Sequence, residues 1–234
     1  MQKWRIGEVT VTKIVELETT GGSRFILPQA TREACIGIGW MRPHFMDDEG
    51  RLKMSIHALV VETPSRRIVV DTCLGNDKQG RSVPTWNGLQ GPFLRDLAAA
   101  GFARESIDTV LCTHLHVDHV GWNTMLVGGK WVPTFPNARY LMGRTEFEYW
   151  RSKRDHAEQS SVFDDSVAPV FDAGLVDLVD TDHRVCDEVR MRFDNAAVGR
   201  LYTALGEAFH KGQRRPEINA DPVGFMREML TVAG

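Results

Sequence analysis

Apolar positions along this chain fall into short alternating runs, then into runs with a three-to-four-residue spacing. Between residues 4 and 18, Ile6, Val9, Val11, Ile14, Val15 and Leu17 alternate in part with Thr, Glu and Lys. That pattern predicts two short strands around a turn at Gly7-Glu8. Residues 19–50 hold glycines, prolines and the isolated aromatics Phe25, Trp40 and Phe45. They predict a long irregular segment, serving either as a lid that shapes a substrate site or as a plug on the edge of the core. Residues 55–62 and 67–70 read as two strands joined by a turn at Thr63-Pro64-Ser65. After a polar, glycine-rich loop over 76–92, Phe93, Leu94, Leu97 and Ala98 take helical spacing within 93–103, with Gly101 placed to end the helix.

The run at 107–111 is apolar throughout and predicts a buried strand. Residues 122–136 read as a loop with a tight turn at Gly128-Gly129, 138–142 as a strand and 144–153 as an amphipathic helix. Short apolar segments follow at 166–171, 175–179 and 185–193. Beyond them, Val198, Leu201, Leu205 and Phe209 mark one face of a helix over 195–211, and Asp221-Pro222 opens a second short helix. Strand, helix, strand, helix in this order argues for an α/β layered fold.

Composition narrows the function more than the fold. The chain has 234 residues, 42% of them hydrophobic and 25% charged, enough for one large domain or two small ones. A formal net charge of -3 gives no reason to expect nucleic acid or an acidic membrane surface as a partner. No stretch approaches the roughly 18 apolar residues of a membrane span, and the first eight residues lack the apolar centre of a signal peptide. A cytoplasmic protein is therefore expected. Cys35, Cys73, Cys112 and Cys186 are scattered without a C-x-x-C pair, which predicts reduced thiols rather than a disulfide framework. Cys112, two residues before His114, either points toward that histidine or packs beneath it.

The chemistry concentrates just after the buried strand. Residues 111–121 read Leu-Cys-Thr-His-Leu-His-Val-Asp-His-Val-Gly. His114 and His116 stand two apart as the chain leaves the strand, so they point the same way and can share one ion. Asp118 and His119 come as the chain turns and can face a second. Neutral imidazole and carboxylate suit a borderline cation such as zinc, and a site left open on one side can activate water. His57, inside a strand, reads as a packed histidine rather than a ligand.

This cluster resembles the metal loop of the metallo-β-lactamase-fold hydrolases, and of the lactonase-like and esterase-like members in particular. A second matching element, Arg67-Ile68-Val69-Val70-Asp71-Thr72-Cys73-Leu74-Gly75, ends a strand in an aspartate and a glycine turn. The resemblance runs from about Ile6 to about Val189 and implies an αββα layered fold in an α/β class. It makes His114, His116, Asp118 and His119 metal ligands, Asp118 also the catalytic carboxylate, and Asp71 a brace behind the metal loop. It implies one or two zinc ions, with iron or manganese as alternatives. The expected reaction opens a lactone, ester or similar small acyl substrate.

The family's second-half ligands do not follow. Residues 190–234 lack the expected Gly-His step, bridging aspartate and final histidine. The expected organisation is thus an incomplete hydrolase domain over 1–190, whose truncated second half gives way to a helical tail over 191–234. His156, His183 and His210, with Asp194, are the candidates to compensate. A homodimer partner is another route to a complete site. The alternative function is a relative that keeps the fold but is inactive or binds metal weakly. Trp40, Phe45, Trp86 and Trp122 are pocket candidates that serve equally well as packing groups.

Overall fold

The computed structural model describes residues 2–180 and 182–192, which divide into two compact units. The first comprises residues 1–17 and 56–192, and the second includes residues 18–55. Of the helical tail expected over 191–234, residues 193–234 lie outside the described residues, His210 and Asp194 among them, and residues 191 and 192 belong to a strand.

Seven strands form the main sheet. In chain order the strands among the described residues are β1 (Lys3–Ile6), β2 (Val9–Thr20), β3 (Lys53–Glu62), β4 (Arg67–Val70), β5 (Thr109–Leu111), β6 (Thr124–Val127), β7 (Lys130–Pro133), β8 (Arg139–Gly143), β9 (Val176–Val179), β10 (Asp182–Arg184) and β11 (Arg190–Arg192). The sheet order is β1-β2-β3-β4-β5-β8-β9. Both predicted hairpins are present. Ile6 pairs with Val9 across Gly7, and Val60 pairs with Val69. In the second turn the Thr63 hydroxyl accepts the N–H groups of Ser65 and Arg66, a local bond that pins the reversal.

From β4 onward the sheet is parallel, with Val69 beside Val110, Val110 beside Tyr140 and Met142 beside Leu178. Parallel neighbours need long crossovers, and here helices supply them. In chain order the helices are α1 (Arg32–Ile36), α2 (Phe93–Ala99), α3 (Val117–Val120), α4 (Arg144–Ser152), α5 (Ala157–Val162) and α6 (Ala168–Asp172). Phe93 and Leu97 of α2, Phe147 of α4 and Val162 of α5 are buried in one core with Val69, Val110 and Tyr140. The apolar stripe of each helix is thereby covered by the continuous apolar strands, the pattern of an α/β layered fold.

Three segments refine the reading of the sequence. Helix α2 stops at Ala99 because Gly101 adopts φ +97, and the Phe102 N–H turns back to the Leu97 carbonyl. Residues 124–133 are not a loop but the hairpin β6–β7, with Val127 opposite Lys130. Gly128 and Gly129 both take positive φ, 56 and 78, the geometry of a two-residue hairpin turn that suits strand twist. The apolar segment at 166–171 is helical, a single π turn over Phe163–Val167 running into α6.

The second unit holds the short helix α1, whose first turn is capped where the Thr31 hydroxyl accepts the Ala34 N–H. Ala30, Cys35 and Met46 form a small core of their own. The segment is otherwise irregular, as its glycines and prolines predict.

Candidate metal centre

Two parallel strands, β4 and β5, deliver their carboxyl ends side by side, the usual place for a ligand on such a sheet. Just past β4, Asp71 and Cys73 take left-handed φ values of 57 and 53. Such conformations are unfavourable for residues with a Cβ and persist only where surrounding contacts hold them. The contacts are visible. The Asp71 carboxylate accepts the Thr113 N–H (2.7 Å) and the Thr113 hydroxyl (2.7 Å), and it meets His119 Nδ1 at 2.7 Å.

Past β5 the chain makes the single helical turn α3, which carries Asp118 and His119 back toward β4. The returning backbone is stitched to the turn after Asp71. The His119 carbonyl accepts the Thr72 N–H, the Trp122 N–H reaches the Thr72 carbonyl, and the Gly121 N–H reaches the Cys73 carbonyl, each at 2.7 Å. The approach is so close that a Cβ on Gly121 would lie 1.9 Å from the Leu74 carbonyl. Only glycine fits there.

Three imidazoles gather on this frame. The ring centres of His114 and His116 are 4.8 Å apart, and those of His114 and His119 are 3.8 Å apart. The Thr113 hydroxyl gives its one hydrogen to Asp71, so at 3.1 Å it accepts from His114 Nδ1. That bond fixes the His114 tautomer and leaves Nε2 with its lone pair. Burial holds the His114 pKa below its ordinary value, assisted by the neighbouring His119 and His116. His119 behaves in the opposite way. Burial opposes its charge, but hydrogen bonds to Asp118 and Asp71 prevail and raise its pKa to about 9. Asp118, whose Oδ2 lies 3.4 Å from His119 Nε2, is also penalised by burial. The same His119 contact holds its carboxyl below the ordinary value.

The loop is also held from outside. The Leu115 N–H, between the two histidines, donates to Glu146 Oε1 at 2.9 Å, and the Leu115 carbonyl accepts from Gln159 Nε2 at 2.6 Å. Glu16, on β2, accepts the Leu74 and Gly75 N–H groups and the Trp122 indole N–H. Sequence reading missed all three polar residues. Only Glu16 left a trace, as a charge on the strand face that Thr12 and Ile14 bury.

In residue type His114, His116, Asp118 and His119 fit a divalent cation, and His114 and His119 are turned by a hydroxyl and a carboxylate on Nδ1, the usual ligand arrangement. The set is not closed, however. Among the described residues, no group of three His, Cys, Asp or Glu side chains is arranged to hold an ion. Of the expected compensating residues, the two described ones, His156 and His183, do not join the cluster. His156 caps α5, its Nδ1 accepting the Gln159 N–H, and His183 pairs with Met191 between β10 and β11. Cys112 packs beneath the loop against Asn123. Trp122 is a core residue stacked on Phe93, whereas Trp40 and Phe45 meet edge to face within the second unit.

Residues 53–204 match the model of the metallo-beta-lactamase superfamily. Solved structures share the fold. A probable metal-dependent hydrolase from Staphylococcus aureus aligns with a TM-score of 0.60 at 18% identity, over 81% of this chain and 65% of that one. The hydrolase AbOPH of the beta lactamase superfamily aligns at 0.59 and 20% identity, over 78% and 62%. AidC, a dizinc quorum-quenching lactonase, aligns at 0.54 and 19%, over 79% and 62%. The chain thus spans less than two thirds of the length of these structures. No curated protein sequence matches it significantly.

Proposed function

Because the chain belongs to the metallo-beta-lactamase superfamily, we propose that it is a metal-dependent hydrolase acting on a lactone, ester or similar acyl bond of a small molecule. The observation that carries this reading is the Asp71 carboxylate, which turns His119 directly and His114 through Thr113. Such bracing is costly to build into a loop without a ligand to orient. His114 and His116 would hold one ion and Asp118 and His119 a second, with zinc the preferred metal and iron or manganese compatible with the same donors. A bound divalent ion supplies Lewis-acid polarisation of the acyl carbonyl and lowers the pKa of water. Asp118 is the catalytic carboxylate. An ordinary carboxylate at neutral pH, it would take the proton of the attacking water and return it to the leaving alkoxide. Four free cysteines, Cys186 half-buried and the others buried, accord with the cytoplasmic setting of the proposal.

The test is metal content by mass spectrometry on the purified full chain, beside hydrolysis of a lactone and ester panel. The expected result is about one to two equivalents of zinc, with metal and hydrolysis both reduced in His116→Ala. Trace metal that the substitution leaves unchanged would sink the proposal. The open ligand set favours a second reading, an inactive or weakly metal-binding relative. Zinc uptake without hydrolysis of any acyl substrate would select it. A homodimer, in which a second copy completes the ligand set, would show as metal stoichiometry that rises with dimer content.

A further inference from the structure

Glu16 stands on β2, outside the strands and turns that carry the candidate ligands, yet it bonds to both segments of the centre. Its Oε2 accepts the Leu74 N–H at 2.7 Å, and its Oε1 accepts the Gly75 N–H at 3.1 Å and the Trp122 indole N–H at 2.6 Å. Leu74 and Gly75 end the turn that begins at Asp71. Trp122 follows the helical turn that carries Asp118 and His119. The strained turn presents Asp71 to His119, and the Thr72 amide also holds the His119 carbonyl. Backbone bonds, the Thr72 hydroxyl and the Asp71–His119 contact join the two segments directly, and Glu16 grips both from a separate strand.

We propose that Glu16 is a positioning residue for the metal centre, fixing the turn at 71–75 against residues 119–122 and so setting how Asp71 orients His119. This rests on the metal-dependent reading. A carboxylate is needed because both oxygens accept. An amide in its place offers one acceptor and one NH2, and that NH2 would face a backbone or indole N–H. Glutamine therefore keeps the size of the side chain but loses either the Leu74 bond or the Gly75 and Trp122 bonds together, setting an NH2 against an N–H in each case.

The experiment compares the full-length wild type with Glu16→Gln and Glu16→Ala. Val60→Ala, a buried β3 residue outside the site, serves as a destabilised control. Zinc affinity is read by chelator competition on protein that circular dichroism shows to be folded. Backbone and indole resonances of Thr72, His119 and Trp122 are read by NMR on the chelated protein. Both Glu16 variants are expected to bind zinc about 10- to 100-fold more weakly and to shift all three sets of resonances. The control should lose thermal stability with affinity unchanged. A folded Glu16→Gln protein with wild-type affinity and unmoved resonances overturns the proposal. If neither Glu16 variant folds, Trp122→Phe, which removes one of the three donors, must show a smaller loss in the same direction or the proposal fails. A wild type that takes up no zinc defeats the metal reading, and the resonances of the chelated protein then decide the role of Glu16 alone.

Discussion

At His119 one imidazole is held between two carboxylates, 2.7 Å from Asp71 and 3.4 Å from Asp118. Its pKa of about 9 in the folded protein lies above the ordinary 6.5. The protonated form is therefore stabilised by folding, fully so below about pH 6.5, and that contribution is lost as pH rises through about 9. Lys78 changes in the opposite sense over the same window. Its side chain is fully buried, its Nζ donates to Thr124 and the Asp165 carbonyl, and burial lowers its pKa to about 7. Its contribution is present above about 10.5 and lost as pH falls through about 7. The two partly cancel, so the difference between wild type and His119→Ala isolates the histidine. Urea unfolding of metal-free protein from pH 6 to 10 should show that difference shrinking with rising pH; a constant difference would refute the assignment. Metal must displace this proton, so zinc should bind more tightly as pH rises toward 9. The four candidate ligands were legible as candidates because their types and spacing carry chemistry directly, and Asp71 through the family resemblance alone. Glu16, Glu146 and Gln159 were not, because they reach backbone groups 31 to 59 positions away in the chain.

Among the elements, the long periodic ones were the readable ones. Strands β1 to β4 and helices α2 and α4 follow from alternation or helical spacing. The one-turn helix α3 carries too few residues for any period, and it exists because Thr72, Cys73 and Asp71 receive it. The hairpin β6–β7 was hidden because Thr124 to Pro133 alternates weakly, although its Gly128-Gly129 turn had the right chemistry. The close packing of α3 on the β4 turn sets the prediction at this scale. Gly121→Ala places a methyl group 1.9 Å from the Leu74 carbonyl, so the two segments must part. The expected cost is about 3 kcal/mol or more, read as a fall in melting temperature, together with weakened zinc binding. A variant that keeps both wild-type values would show that the segments do not depend on this contact.

Across the whole molecule, a bound metal adds to the stability of the folded state through mass action. Chelation followed by dialysis should lower the melting temperature, and zinc added in about 100-fold excess over its dissociation constant should restore about 2.7 kcal/mol. Calorimetry with and without zinc checks this. Identical transitions would remove the metal from the folded protein's thermodynamics. No described helix is long and apolar enough to cross a membrane. Periodicity and residue chemistry, both local properties, determined the α/β class, the order of the elements and the cluster from His114 to His119. Tertiary structure alone decided that Glu16, Glu146 and Gln159 stand behind that cluster. A parallel sheet brings β4 and β5 together across 38 intervening residues, and a hydrogen bond between such partners leaves no periodic mark on either segment.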